Sequence, residues 1–140
     1  MVCCLRRWVV AGEVIRYGNH PASIREYLLG AVGVPVVVAG VPKQRPKSFV
    51  VLEPSGGSDS SVVHGWRSMI VDSWAESQGD AFDLALDVEA HLRALRNERI
   101  RGVLIYKARP LGGIVWMPDP DAKVPRFRQN FEFLTRGEAI

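Results

Sequence analysis

The spacing of apolar residues predicts a first helix that begins at His20 and Pro21. Proline is favoured in the first helical turn, where its missing N–H would have no intrahelical partner. Apolar side chains then recur every three or four residues, at Ile24, Tyr27, Leu28 and Ala31. Gly30 and Gly33 mark the end of this helix. Its single apolar face requires a partner surface.

A longer helix is predicted from about Asp80 to Arg96. One stripe along this helix is apolar and consists of Ala81, Leu84, Ala85, Val88, Leu92 and Leu95. Acidic residues lie in its first turn and basic residues near its end, which suits the helix dipole. Ser77 is placed to cap its N-terminus.

Between the two helices, the pattern predicts three strands. Val34 to Ala39 is a nearly continuous β-branched run, typical of a buried strand, and Phe49 to Leu52 is the second strand. Val62 to Trp74 carries bulky side chains on both faces, which indicates burial on one side and a contact surface on the other. The segment from Pro54 to Ser61 is small, polar and glycine-rich, so we expect a mobile surface loop there.

Two or three more strands are predicted after the second helix. Val103 to Arg109 is the first, and a short run from Ile114 to Met117 follows a turn at Gly112 and Gly113. The final strand alternates most clearly, with Phe127, Gln129, Phe131 and Phe133 on one side and Arg128, Asn130 and Glu132 on the other. Such alternation predicts an antiparallel strand with one face in the core and one face in water.

This order of elements predicts an α+β fold, with a single mixed or mainly antiparallel sheet and two helices packed on it. Because βαβ units do not repeat, a doubly wound nucleotide-binding sheet is disfavoured. We expect residues 19–140 to form one domain. Residues 1–18 lack a clean periodicity and are predicted to be an N-terminal arm or an extra strand, with Trp8 to Ile15 as the segment able to pair.

Composition agrees with one globular domain. The 140 residues are 47% hydrophobic and 24% charged, which is enough apolar side chain for a core. The net charge of +3 favours acidic partners but is too small to indicate nucleic-acid binding by itself. Adjacent cysteines such as Cys3 and Cys4 rarely bridge, which fits a reducing cytoplasm. Apolar runs are too short for a signal core or a membrane span, so we expect a soluble protein with no membrane partner.

Catalytic and metal-binding chemistry has little support in the sequence. His20, His64 and His91 are the general-base candidates, and none has a nucleophile in a recognisable setting. Asp119, Pro120 and Asp121 could hold a divalent cation, but this combination is more typical of a turn. The glycine pairs lack the lysine and hydroxyl residue of a phosphate-binding loop. We therefore expect no enzymatic activity, no cofactor and no metal.

Basic residues cluster in two places. One cluster is Lys43 to Lys47, and the other comprises Lys107, Arg109, Lys123, Arg126 and Arg128. Trp116, Phe127 and Phe131 lie among them and could form a stacking surface for nucleic acid. The phenylalanines alternate as core residues, however, so a solvated face or a charged subunit interface is favoured. Trp66 and Trp74 are interpreted as core or interface anchors.

The order and spacing of several short segments resemble the tail terminator proteins of long-tailed bacteriophages. The matching segments are Arg45 to Leu52 followed by Gly56-Gly57, Met69 to Ala75, the helix opening at Ala81 with Leu84-Ala85, Gly112-Gly113, Met117 to Pro120, and Pro125-Arg126-Phe127. The resemblance covers roughly residues 20–137 and has no counterpart for residues 1–18.

This resemblance implies a structural virion protein that forms a ring, expected to be hexameric, on the last ring of tail-tube subunits. The ring would end tail polymerisation and present a surface to the head-completion, or stopper, protein. It would be assembled in the bacterial cytoplasm and sit at the head-tail interface, with genome DNA passing through its lumen without specific binding. The predicted interface residues are Arg45, Lys47, Trp66, Arg126 and Arg128. Charge reversal at Arg126 or Arg128 is expected to impair assembly and leave the monomer folded.

Two alternatives remain open at this point. A head-completion or adaptor protein of the neck also forms rings at a similar size. A small basic nucleic-acid-binding protein would use the basic clusters, and its affinity for duplex DNA would fall steeply with salt.

Overall fold

A computed structural model of the chain describes residues 12–121 and 123–140. The elements, in chain order, are β1 (Ile15–Tyr17), α1 (His20–Val32), β2 (Val36–Val38), β3 (Phe49–Asp59), β4 (His64–Trp74), α2 (Gln78–Arg93), β5 (Arg96–Ile100), β6 (Val103–Pro110), β7 (Val115–Trp116) and β8 (Arg126–Ala139). Cys3, Cys4 and the first half of the segment from Trp8 to Ile15, residues 8–11, lie outside the described residues.

The eight strands form one sheet, and the predicted α+β architecture is confirmed. Its main path runs β2-β3-β4-β8-β6-β5, while β1 and β7 each pair with β8. The β2–β3 pair is parallel and the other pairs of described strands are antiparallel. Strand β1 pairs Ile15 with Ala139 and Tyr17 with Gly137, so the extra strand begins where the predicted pairing segment ends.

The two helices cover one face of the sheet and enclose the main core. Buried side chains of both helices meet those of five strands in a single cluster, which includes Ile24, Leu28, Leu84, Val88, Leu92, Val36, Val50, Leu52, Met69, Val71, Ile105, Phe131 and Phe133. The apolar stripes of the two helices therefore pack against the apolar side chains of the alternating strands. Fully burying one such side chain stabilises the folded state by roughly 1.5–3 kcal/mol.

The helix ends agree with the sequence signals except at Gly30, which lies inside α1 and does not end it. In α1, Gly33 ends the helix in the left-handed conformation at φ 68°, and the Asn19 side chain, which the sequence analysis did not single out, accepts a hydrogen bond from the Ala22 N–H. In α2, the Ser77 hydroxyl accepts the Asp80 N–H at 3.1 Å, which confirms the predicted cap. Among the described residues, no helix combines the length and apolar character needed to cross a membrane.

The end of α2 differs from the prediction. The helix stops at Arg93, and Arg96 begins β5, a strand that the sequence pattern did not reveal. Four of the five β5 residues are exposed, so the strand has no apolar alternation. Its conformation comes from antiparallel pairing with β6, in which Arg96 lies opposite Lys107 and Ile100 opposite Val103. Tertiary context outweighs local preference at such an edge.

The predicted mobile loop from Pro54 to Ser61 is wrong, because most of it is strand. Strand β3 continues to Asp59 and pairs with β4 as far as Gly65. The register shifts between Pro54 and Gly56, which is a β-bulge. Glycine is required beyond the bulge: Gly57 has φ 147°, and a Cβ there would lie 1.9 Å from the Trp66 carbonyl oxygen. Gly57 thus permits close pairing of β3 with β4.

We predict that Gly57→Ala destabilises the fold more than Gly56→Ala does. Both residues have positive φ, at 147° and 104°, so both variants incur backbone strain of roughly 1–3 kcal/mol. A Cβ at Gly57 also collides with the backbone of β4, whereas a Cβ at Gly56 meets nothing within 4 Å. Urea denaturation of the two variants measures the difference. Equal losses in the free energy of unfolding would contradict the close approach of β3 and β4.

Candidate assembly surface

The face of the sheet turned away from the helices carries charged and aromatic side chains. We call it the open face, and define it as the side chains of β4, β6 and β8 that point away from α1 and α2. Successive residues of a strand point to opposite faces, so the residues between the core positions of these strands gather there. Cross-strand register sets Asp72 opposite Arg128 and Ser68 opposite Glu132, with Arg109 on the other side of Glu132.

A buried carboxylate lies at the centre of one half of the open face. Asp72 is only 3% exposed. The Arg128 guanidinium donates two hydrogen bonds to it, from Nε to Oδ1 at 2.8 Å and from Nη2 to Oδ2 at 3.0 Å. Arg126 lies further away, with Nη1 3.9 Å from Oδ2. The hydrogen bond to Asp72 raises the pKa of Arg128, although partial burial opposes this shift. A bidentate pair of this kind is rigid as well as strong.

Trp74 anchors the same half of the open face. It is 1% exposed and stacks on Phe49, with ring centroids 5.4 Å apart. The guanidinium carbons of Arg126 and Arg45 lie 4.9 Å and 5.5 Å from its ring centre. Val37 of the edge strand β2 and Val124, from the segment before β8, pack against this cluster. Trp74 therefore has a core role, one of the two roles expected for it.

A cavity of about 320 Å³ adjoins this half of the open face. Arg45, Lys47 and Lys123 bring positive charge to its lining, and Phe49 and Val124 bring apolar surface. Arg45 also lies 3.9 Å from an Asp119 carboxylate oxygen. The predicted interface residue Lys47 is thus placed near Arg45 in this half.

In the other half of the open face, Lys107 and Arg109 are exposed around a half-buried Trp66, and we call this the accessible half. The Arg109 guanidinium lies over the Trp66 ring, 4.0 Å from its centre, and it also pairs with the Glu132 carboxylate. Lys107 approaches the same ring, with Nζ 5.5 Å from the centre. Contacts of this kind between a cation and an indole ring contribute about 0.5–1 kcal/mol at exposed sites. These contacts fix the half-buried Trp66 ring next to positive charges that are exposed to solvent.

The structure thus groups the predicted interface residues in two places. Arg45, Arg126 and Arg128 surround Trp74 and Asp72, while Trp66 lies at the accessible end. Sequence reasoning did not identify Asp72 or Glu132 as the acidic partners. The available signal was a carboxylate inside each predicted strand: Asp72 follows the apolar Val71 and precedes Trp74 by two residues, and Glu132 lies between two core phenylalanines. The interface assignment itself stays a prediction.

The histidine and aspartate candidates occupy ordinary structural positions. His64 is hydrogen-bonded at both ring nitrogens, to the Ser61 hydroxyl at 2.9 Å and the Tyr106 hydroxyl at 3.3 Å. Asp119 accepts the Asp121 N–H at 2.9 Å, which is the geometry of the predicted turn. Within residues 12–121 and 123–140, no three histidine, cysteine, aspartate or glutamate side chains cluster as metal ligands would.

Burial changes the titration of the candidate His20. Burial, and secondly the positive charge of Arg67, lower its pKa from 6.5 to about 4. The ring lies at the start of α1, and its Nε2 is enclosed without a hydrogen-bond partner among the described residues. A neutral, enclosed imidazole of this kind serves packing.

Comparisons with known proteins give a likeness of fold. No protein-family model matches the sequence, and no curated protein matches it significantly. A chain from the virion of a native gene transfer agent (GTA) particle superposes with a TM-score of 0.63 at 16% sequence identity. The match covers 93% of this chain and 99% of that chain. At this identity the likeness concerns the fold alone.

The structure changes the expectation that charge reversal at Arg128 leaves the monomer folded. We predict that Arg128→Glu lowers the free energy of unfolding by about 3–5 kcal/mol, because it leaves the buried Asp72 carboxylate without its partner and adds a like charge. Lys107→Glu is the matched control at an exposed position of the same face, where loss of the Trp66 contact is expected to cost about 1 kcal/mol or less. Urea denaturation measures both. Equal free energies of unfolding for Arg128→Glu and Lys107→Glu would show that the Asp72–Arg128 pair is dispensable for folding.

We also predict a contribution of His20 to the pH dependence of stability. Between pH 4 and pH 6.5 the unfolded chain binds the His20 proton and the folded chain does not. The free energy of unfolding therefore rises with pH across this window, and the contribution of His20 is lost as pH falls through it. His20→Gln should show a smaller slope than the wild type, with His91→Gln as the control on an exposed helix position. An unchanged slope in His20→Gln would refute the prediction.

Proposed function

We propose that this protein is a structural component of a phage-like virion, where it forms a ring that caps the tail tube. In this proposal the ring ends tail polymerisation and joins the tube to the head-completion complex. The observation that carries the proposal is the fold likeness to a GTA virion chain, which spans nearly the whole of both chains. The terminator role within the virion comes from the resemblance of residues 20–137 to tail terminator proteins.

The open face supports a role in assembly. Its charges are held in place by partners within the chain, Asp72 by Arg128 and Glu132 by Arg109. An interface made of preorganised charged and aromatic side chains costs less ordering on binding than a flexible one. Tryptophan and arginine are also the residues most enriched among those that dominate binding energy. The contact between Trp66 and Arg109 provides both at the accessible end.

A ring requires each subunit to have two complementary surfaces. One heterologous contact, repeated by a rotation that closes, generates the whole ring. The sheet provides two different surfaces, because helices cover one face and charged side chains the other. We propose a hexamer, as in the family that the sequence resembles, and a lumen through which DNA passes without sequence-specific contacts.

A head-completion or adaptor protein is the second candidate. The GTA likeness supports a virion protein of either kind, since it is a likeness to a virion chain and not to a particular position in the tail. The two candidates differ in their attachment site. A terminator binds the end of a tail tube, whereas an adaptor binds the head portal.

The decisive experiment is negative-stain electron microscopy of the purified protein alone and after mixing with tail tubes or with portal-bearing heads. We expect rings at one end of each tube and no binding to portals. Rings on portals alone would favour the adaptor role. A protein that binds neither structure would refute the proposed function.

A further inference from the structure

The outer surface of α2 is the chemical counterpart of the open face. Phe82 and Leu86 lie one turn apart on this helix, and they are 39% and 40% exposed. Asp83 and Asp87 are exposed beside them at the same spacing. From residue 76 to residue 90 the chain has five acidic residues and no lysine or arginine. This surface therefore combines apolar area with negative charge.

Phe82 is part of a larger apolar patch at the edge of the sheet. The Phe82 ring contacts the Phe127 ring at a centroid distance of 5.1 Å, and Trp116 contacts the Phe127 ring from another direction at 5.0 Å. Trp116 and its neighbour Val115 are themselves 43% and 51% exposed. Exposed large apolar side chains that are grouped in this way mark interaction sites.

The accessible half of the open face has the opposite character. Its carboxylate Glu132 is bound to Arg109. Lys107 and Arg136 are exposed. Lys107 lies beside the Trp66 ring, and Arg136 donates a hydrogen bond to the Tyr106 hydroxyl at 3.4 Å, with Glu138 as a nearby acidic group. This surface therefore presents positive charge to solvent. The α2 surface lies on the helix-covered side of the sheet and the open face on the other. One chain thus carries two complementary surfaces that face in different directions.

We propose that the α2 outer surface of one copy docks on the accessible half of the open face of the next copy. Phe82 and Leu86 provide the apolar contact to Trp66, and Asp83 and Asp87 face Lys107 and Arg136. Because the two surfaces differ and point in opposite directions, the contact is heterologous, as a closed ring needs. This inference rests on the proposed ring and names the two surfaces that build it.

Two charge-reversed variants test this contact by mixing. Asp83→Lys/Asp87→Lys makes the helix surface basic, and Lys107→Glu/Arg136→Glu makes the open face acidic. Each variant alone places like charges in the contact, so we expect its apparent dissociation constant for self-association to rise by roughly tenfold or more. In an equimolar mixture, unlike charges meet at every junction when the variants alternate. We therefore expect mixing to restore assembly to the size formed by the wild type, measured by light scattering after size-exclusion chromatography.

Controls and outcomes separate this inference from the proposed function. Glu26→Lys reverses an exposed acidic residue on α1 and should assemble like the wild type. Assemblies of normal size from either double variant alone, or no recovery on mixing, would overturn the inference while tube capping could still hold. A wild-type chain that remains monomeric in solution would overturn the inference, whereas failure to bind tubes or portals is the outcome that overturns the proposed function. If Lys107→Glu/Arg136→Glu instead assembles normally and loses salt-sensitive binding to duplex DNA, the basic surface serves nucleic acid and the inference fails.

Discussion

Strand β8 imposes the constraint on which the other elements depend. Its 14 residues pair with β4, β6, β1 and β7, so the register of most of the sheet is set against this one strand. Because its side chains alternate, Phe131 and Phe133 enter the core under the helices while Arg128 and Glu132 project from the other face. A slip of one residue would exchange these two sets and place charges in the core. Packing of the helices therefore also fixes the location of the charged face.

The open face shows how a sheet surface can be polar and ordered at once. Asp72 is almost fully enclosed, and Arg128 satisfies it with two hydrogen bonds. A buried pair of this kind contributes little net stability relative to an apolar pair, but loss of one partner is costly. The result is a surface whose charges keep fixed positions before any partner arrives. Self-assembly benefits from such preorganisation, because fewer side chains lose freedom on contact.

The proposed heterologous contact would also account for the distribution of charge along the chain. Acidic residues concentrate in α2, whereas β6 and β8 carry much of the basic charge. Within one chain, α2 lies on one side of the sheet and the basic side chains of β6 and β8 on the open face project from the other. The opposite charges therefore cannot neutralise each other completely. Between copies, the acidic α2 surface of one copy attracts the basic open face of the next. Copies oriented so that two surfaces of the same charge meet repel each other. The direction in which subunits join would follow from electrostatics, and the apolar patch around Phe82 would provide contact area.

Local signals in the sequence determined both helices, their caps and the alternation of β8, because each depends on residues within a few positions of one another. Ser77 before α2, Gly33 after α1 and the four alternating core residues of β8 are examples of such short-range information. Only the tertiary structure decided that residues 54–59 form a strand, that Arg96–Ile100 form another, and that Asp72 binds Arg128. In each of these cases the deciding partner lies on a neighbouring strand, and the pattern within the segment does not specify that partner. Pairing with β4 overrides the glycine-rich composition of β3, and it is the 56-residue separation of Asp72 and Arg128 that conceals their contact in the sequence.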